Sequence, residues 1–481
     1  MTTQTTATTF ASAIQNQSTR TQNGMVARKS TADNCVDLFY KIGASRGKNI
    51  IPQFVAALVE DEDIALRIVQ WVRDVRGGAG ERELFRQVLA YLELHNPELT
   101  IKLISKIPEI GRWDDMLVFN QPTTKAAAFS MIKDALRASN GLAAKWMPRQ
   151  GSVAAELRKF LGMTPKNYRK TLVSLTKVVE QQMCAREWDS INFSQVPSLA
   201  HARYKKAFGR NTPMYAKYVS NLVSGKDPLV KVNAGAVFPY DVLNGLINPH
   251  YGMTHSKTDL DLIEQQWAAL PNYIGDANVL PMVDVSGSMS VAAGSSLSKS
   301  TLRCIDVAVS LGLYCADKNT GKFKDMFLTF SSKSELLLLQ GNIVQKVNQM
   351  VSSNWGMKTN LIGAVTKILD VAVEGAVPQE EMPKILLIMS DMQFDQCARF
   401  DDSAIAAIQR QYESAGYKMP QIVFWNINAY GNSPVSSNHA NVALVSGFSP
   451  SIVKSILAAD VDDFTPHGIM MKTVMVPRYD L

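Results

Sequence analysis

The sequence predicts an α plus α/β chain: an N-terminal ring or solenoid of stacked helix pairs, then a doubly wound parallel sheet. Three observations predict it. Ile64, Ile68, Trp71, Val72 and Val75 recur three and four residues apart, the spacing of one helix face. After about residue 278, Val- and Ile-rich strands take turns with helices, the pattern of a parallel sheet covered on both faces. Where the first of those strands ends stand Asp284, Ser286 and Ser288, three short oxygen side chains at every second position around Gly287.

Residues 1–24 are Thr- and Gln-rich with little to bury, and read as a disordered tail. Residues 25–270 form the helical domain. Short amphipathic pieces at 34–42 and 51–60 precede the helix at 64–75; Gly77, Gly78 and Gly80 break it, and 81–94 begins the next. Pro97, Pro108, Pro122 and Pro148 punctuate later helices. Successive pairs of roughly 30–45 residues predict a solenoid by spacing, without a strict repeat. Residues 225–275 are rich in Gly, Pro and Asn and connect the halves. The α/β domain, residues 271–460, predicts strands at 278–283, 324–330, 384–390, 421–427 and 442–445. Helices fall at 302–315, 359–373, 403–415 and 449–459, the last clear one. The segment 461–481 is expected to pack back on the helical domain.

With 481 residues, 46% hydrophobic and 19% charged, the composition is that of a globular protein of two or three domains. No run of about 18 apolar residues predicts a membrane span, and the polar start is not a secretory signal. Cys35, Cys184, Cys304, Cys315 and Cys397 are scattered and odd in number, which argues against a disulfide framework or zinc site and for a reducing, cytoplasmic compartment. The histidines do not cluster, which disfavours a zinc hydrolase.

The net charge of +7 is concentrated. Between Lys145 and Lys231 there are 16 Lys and Arg against five acids, Glu156, Glu180, Glu187, Asp189 and Asp227. Such a field attracts polyanions, nucleic acid above all; well-solvated helix faces are the plainer alternative.

Asp284, Ser286 and Ser288 suit a hard divalent cation such as Mg2+. One carboxylate and hydroxyls leave the ion under-neutralised, so it seeks an acidic ligand from outside. In α/β sheets sites form outside the carboxyl ends of strands. The strand at 384–390 delivers Asp391, and the loop 355–361, which opens a helix, offers Thr359. An ordinary Ser/Gly turn, or a degenerate site that no longer holds metal, are the alternatives. Asp395 either reaches the site's outer ligands or caps the following helix.

The set Asp284, Ser286, Ser288, Thr359 and Asp391 resembles the metal-ion-dependent adhesion site of von Willebrand factor A domains. The helical half before it is similar in layout to the Ro ribonucleoprotein autoantigen and its bacterial relatives, whose TROVE module is a ring of HEAT-like helix pairs. A closer resemblance is to an uncharacterised family of plant, fungal and viral proteins of the same two-part layout. It is carried by DLFYKIGASRGK (37–48), VRDVRGGAGERELFR (72–86), GRWDDM (111–116), AAKWMPR (143–149), VPSLAHARYKKAF (196–208), DVSGSMS (284–290), IMSDMQFD (388–395), IVFWNIN (422–428) and VALVSGFS (442–449). With Ro itself the likeness is at the level of layout and the glycine-arginine loop.

The resemblance implies RNA binding: single-stranded, small or misfolded RNA held in a basic helical ring, mainly through phosphates. Lys145, Arg149, Arg158, Arg169, Lys170, Arg203, Lys205, Lys206 and Arg210 are the candidate contacts, with Arg76 from the glycine-arginine loop. Trp146, Tyr168, Trp188 and Tyr204 lie among them, to stack on bases or to fill the core. In that loop Arg73, Arg76 and Arg82 either meet a phosphate or pair with Asp74, Glu81 or Glu83 to fix a helix corner; the loop lacks the Lys-Ser/Thr end of a nucleotide P-loop. Asp114 and Asp115 point apart on a helix, which favours capping over shared acid–base chemistry. Three functions compete. The first is an RNA binder that recruits an acidic protein partner through the cation. The second is a non-enzymatic structural or interaction scaffold, as within a viral particle. The third, a metal nuclease, is disfavoured: the acids are too few for two metals about 4 Å apart, and the expectation is no enzyme.

Overall fold

The computed structural model describes residues 18–176, 178–234, 237–247, 256–293, 302–330, 334–353, 360–394, 404–429, 432–460 and 462–481. Asp33 starts the first helix, α1 (Asn34–Ile42), by accepting the Val36 N–H at 2.9 Å. Next come α2 (Ile51–Glu60), α3 (Glu62–Arg73), α4 (Arg82–His95), α5 (Pro97–Ile110) and α6 (Pro122–Arg137). Asp61 caps α3, whose first turn carries Glu62 and Asp63 and whose last carries Arg73, as the helix dipole favours. Prolines stand at the first or second position of α2, α5 and α6, where no hydrogen bond is lost. Each helix packs on the next, from α1 through α6, a stacked array.

The basic segment holds α7 (Gly141–Trp146), α8 (Ser152–Phe160), α9 (Pro165–Leu175), α10 (Val179–Cys184), α11 (Ser198–Asn211) and α12 (Met214–Ser224). Two more helices, α13 (Pro239–Ile247) and α14 (Lys257–Ala268), lead to the sheet. Its strands are β3 (Val279–Asp284), β4 (Met326–Phe330), β5 (Glu335–Leu338), β6 (Ile385–Ser390), β7 (Gln421–Asn426) and β8 (Val442–Ser446), in the order β5-β4-β3-β6-β7-β8. Its helices are α15 (Cys304–Lys318), α16 (Ile343–Val351), α17 (Leu361–Glu374), α18 (Ala404–Ser414) and α19 (Val453–Leu457). Strands β3 and β6 are buried along their whole length, as central parallel strands are. One sheet face packs with α15, and the other with α17 and α18.

Three expectations change. The sheet is mixed: β5 runs antiparallel to β4 at the edge, and its alternation of half-buried and exposed side chains is too short to stand out in sequence. Residues 18–24 are not a loose tail. Strand β1 (Ser18–Arg20) pairs with β2 (Val26–Arg28), and Met25 is buried on the α17–α18 face. Residues 1–17 lie outside the described residues. Past 460 a further helix, α20 (Pro466–Val474), follows, capped by Thr465. Residues after it bond the helical half: Arg478 to Asp74 and Glu109, and Gln70 Nε2 to the Tyr479 carbonyl at 2.8 Å.

The two halves share one hydrophobic core, which runs from Cys35 on α1 to Tyr479. Helix α1 lies against the edge strand β8, with Phe39 in that core and Tyr40 in the core on the other sheet face. Ser446 Oγ donates to the Phe39 carbonyl at 2.9 Å and accepts the Gly43 N–H at 3.0 Å. A Cβ on Gly43 would lie 2.6 Å from the Ser446 carbonyl oxygen. The glycine-arginine loop belongs to the same joint: Ser451 Oγ donates to the Gly78 carbonyl at 3.2 Å, and a Cβ on Gly447 would lie 3.5 Å from Ala79 Cβ.

Gly43→Ala therefore forces backbone apart at the joint. We expect a loss of about 1–3 kcal/mol, in the range of overpacked cores. Denaturant unfolding followed by tryptophan fluorescence checks this, and the shared core makes both halves lose stability in one transition.

Candidate cation site and basic helical face

The carboxyl ends of β3, β6 and β7 meet at the middle of the sheet. Asp284, fully buried, turns the chain by accepting the Ser286 N–H at 2.9 Å with Oδ1. Its Oδ2 accepts the Ser390 hydroxyl at 2.6 Å. Ser286 Oγ and Ser288 Oγ lie 3.1 Å apart. Asp391, also fully buried, accepts the Gln393 N–H with Oδ1 at 3.2 Å, while Oδ2 has no hydrogen-bond partner among the described residues. The fold thus brings together Asp284, Ser286, Ser288 and Asp391. Thr359 and Asp395 lie outside the described residues.

Burial pushes the Asp284 carboxyl up to about 7, and the neighbouring Asp391 adds to it. Burial raises Asp391 as well, offset in part by the Gln393 N–H and the nearby Ser288 hydroxyl. Two carboxyls buried together, one with an unused oxygen, beside two serine hydroxyls fit a hard divalent cation, which would hold both as carboxylates. Asp284, Ser286, Ser288 and Asp391 are the residues that could hold it.

Ser390 escaped the sequence reading as a site residue, although its place as the last strand residue before Asp391 was legible. It belongs to a buried row. In register across the sheet, Asp284, Ser390, Asn426 and Ser446 end β3, β6, β7 and β8. Asn426 Oδ1 accepts the N–H groups of Asn428 and Ala429 at 3.0 and 2.9 Å, and its Nδ2 is buried without an acceptor among the described residues. Around the same edge, Lys48 of the helical half donates to the Asn428 carbonyl at 2.5 Å. A separate group, Asp33, Cys35 and Glu60, has its oxygens and sulfur within 4.8 Å of one another; it serves the start of α1, where Glu60 accepts the Asn34 N–H.

The basic segment presents its cations on helix faces. Lys145, Arg149, Arg169, Lys170, Arg203, Lys206 and Arg210 are exposed, and Arg158 is half-buried with Nη1 on the Met163 carbonyl at 3.1 Å. Of the candidate contacts there, Lys205 alone pairs with an acid among the described residues, Asp259 at 2.8 Å. Glu156 pairs outside the segment with Lys125, and Asp189 accepts the Thr212 hydroxyl. The aromatic residues divide. Tyr168 is core, its hydroxyl on the Pro148 carbonyl at 3.0 Å. Tyr204 donates to Glu180, and Trp188 is half-buried against the core behind α11. Trp146 is covered by the Arg112 guanidinium at 3.7 Å.

The arginines of the glycine-arginine loop do not take the neighbouring acids as partners. Arg73 pairs with Asp115 at 2.7 Å, Arg478 takes Asp74, and Arg46 takes Glu81. These partners lie far along the chain, so neighbouring acids gave no guide to them. Asp115 caps as expected by accepting the Arg112 N–H at 3.0 Å, but it is also a buried ion-pair partner of Arg73 and Arg86. Arg76 is exposed.

Behind α11 lies a small core of its own. His201 is buried against Tyr218, ring centroids 5.4 Å apart and nearly parallel, with Nε2 3.0 Å from the Phe193 carbonyl and Nδ1 without a partner among the described residues. Burial lowers its basicity.

Fold and sites define a class: a stacked-helix array joined through one core to an α/β sheet that carries an acidic, hydroxyl-lined cup at its carboxyl edge. Residues 21–137 and 142–280 match the family described as domain of unknown function DUF2828, and the chain belongs to that family. Residues 278–473 match a second, domain of unknown function DUF7788. A relative, an uncharacterized protein of Acanthamoeba polyphaga mimivirus, is 29% identical over 519 residues, covering 94% of this chain and 86% of its own. A crystal structure of the Ro (RSR) protein of Deinococcus radiodurans aligns over 92% of this chain and 93% of its own, with 12% identity and a TM-score of 0.36. No helix among the described residues is long and apolar enough to cross a membrane.

Two outcomes follow from these groups. Without a cation, the raised carboxyl of Asp284 contributes stability that is complete below the ordinary carboxylate range and is lost as pH rises through about 7. A Mg2+ ion in the cup would compete with that proton. Its affinity should therefore fall from pH 8 to pH 6, and Asp284→Asn should abolish the rise in melting temperature that Mg2+ produces, both read by calorimetry. For His201 the sign is opposite: its depressed basicity gives stability present above about pH 6.5 and lost below it. Hydrogen-exchange protection factors in α11 and α12, taken relative to the intrinsic rate at each pH, should fall between pH 7 and pH 5, and His201→Phe should flatten that dependence.

Proposed function

We propose that the chain is a non-enzymatic, Ro-like RNA-binding protein. It holds single-stranded, small or misfolded RNA along the basic faces of α7–α12, mainly through phosphates, and recruits an acidic protein partner through a Mg2+ ion in the cup of Asp284, Ser286, Ser288 and Asp391. The observation that carries the reading is a cationic segment whose charges are largely unpaired: of its candidate contacts only Lys205 pairs with an acid among the described residues. A neutralised segment would have argued for a solvated scaffold instead. The likeness of the two-part layout and the glycine-arginine loop to the Ro family supports the same reading, and so does the chemistry of the cup. A cation held by two carboxylates and hydroxyls retains room for a carboxylate from outside.

Single strands neutralised by Lys and Arg lose affinity with salt, with a log–log slope of about −0.7 per phosphate contacted. Arg203→Glu, Lys206→Glu and Arg210→Glu together should weaken binding of a single-stranded oligoribonucleotide more than tenfold and flatten that slope by about 2, measured by filter binding from 50 to 300 mM salt (~6-fold range). Unchanged affinity and slope in the triple variant would remove the segment from the RNA contact.

A further inference from the structure

Four arginines converge on two carboxylates where α4 begins. Arg73, Arg82, Arg86 and Arg112 surround Asp114 and Asp115. Asp115 is fully buried and both its oxygens are taken, Oδ2 by Arg73 Nε at 2.8 Å and Oδ1 by Arg86 Nε at 2.7 Å. Asp114 has to serve the rest. Arg112 holds it two-pronged, with Nε on Oδ1 at 2.7 Å and Nη2 on Oδ2. Arg86 Nη2 lies 3.2 Å from the same Oδ2, and Arg82 Nη1 reaches only 3.7 Å.

One carboxylate cannot satisfy three guanidiniums. The shortfall is visible atom by atom. Arg86 Nη2 is buried and has no hydrogen-bond acceptor among the described residues; its approach to Asp114 lacks hydrogen-bond geometry. Buried donors are nearly always satisfied, so an orphan of this kind marks a missing acceptor. Arg82, its side chain 43% exposed, stands on the open side with no hydrogen bond to any acceptor among the described residues. Burial, and then the charges of Arg112 and Arg86, hold its guanidinium below its ordinary basicity. The surroundings do not repair the imbalance. Glu81, at the cap position of α4, offers no side-chain cap to the first-turn N–H groups because its carboxylate is committed to Arg46. Glu83 on that turn is exposed and pairs with no member of the cluster among the described residues.

We propose that Arg82, Arg86 and Arg112 form a binding site for a phosphate group. Guanidinium forks match phosphate oxygens two at a time, and the open first turn of a 14-residue helix adds backbone donors of the right polarity. Trp146 forms the site's wall: Arg112 Cζ sits over its ring, 3.7 Å from the centroid, and the Lys145 ammonium stands 5.4 Å from the same centroid. The phosphate belongs either to a nucleic-acid strand or to a small phosphate compound. The site stands on its own charge imbalance and does not require the RNA reading.

The test uses the full chain and pyrophosphate as probe, by titration calorimetry at low salt. Wild type should bind at one site. Arg82→Gln should weaken that binding at least tenfold without moving the unfolding midpoint, since Arg82 makes no close contact. Arg82→Lys, which keeps charge but not the fork, should fall between. The pair Lys206→Gln and Arg210→Gln, on the basic face, should leave it unchanged. An oligoribonucleotide that displaces pyrophosphate assigns the site to strand phosphates; one that binds alongside it assigns the site to a small phosphate compound. No pyrophosphate binding by wild type, or equal weakening by the Lys206 and Arg210 variant, would overturn the proposal. Neither result depends on whether the basic face holds RNA.

Discussion

Everything in this chain is arranged around the place where helix α1 meets strand β8. An edge strand with open N–H and C=O groups would invite other chains, and α1 with α20 covers it instead. Close approach is possible because Gly43 has no side chain where the Ser446 carbonyl lies, and because Ser446 supplies both a donor and an acceptor to the end of the helix. Phe39 and Tyr40, one residue apart, enter the cores on opposite sides of the sheet. The glycine-arginine loop is tied to the turn after β8 as well, by the Ser451 hydroxyl donated to the Gly78 carbonyl. The arginines of that loop are thereby set outward from the joint, where Arg73 and Arg82 meet the Asp114–Asp115 pair.

The cation cup and the arginine cluster are opposite solutions to one electrostatic problem. In the cup, two buried carboxyls lack a positive charge, so their protons are held more tightly than in water. In the cluster, guanidiniums outnumber carboxylates, and one of their buried nitrogens has no acceptor. A buried charge without a partner costs several kcal/mol, so each imbalance points to a ligand of opposite sign.

Much of this was legible in sequence. The strand ends that deliver Asp284 and Asp391 follow from apolar runs of strand length, and the starts of α5 and α6 from Pro97 and Pro122. The loss of acids from 145–231 was a matter of composition. Hidden were features set by tertiary pairing. Ser390 gained meaning only when β6 lay beside β3. The partners of Arg73 and Asp74, Asp115 and Arg478, are far away in the chain, whereas local acids were the visible choice. Strand β5 is four residues of edge, and β1 is held by pairing with β2 rather than by its own apolar content.

The joint also sets an order of events during synthesis. Gly43 and its hydrogen-bond partner Ser446 are 403 residues apart. At ribosomal rates of about 5–20 residues per second, α1 emerges roughly 20–80 s before the strand that buries it. Phe39 can meet Trp71 of α3 early, at the 4.7 Å ring separation of the fold, but Tyr40, in the core on the other sheet face, stays uncovered until β8 is made. A chain that stops before β8 leaves the sheet-facing side of its first helix open, and such fragments are natural clients of chaperones.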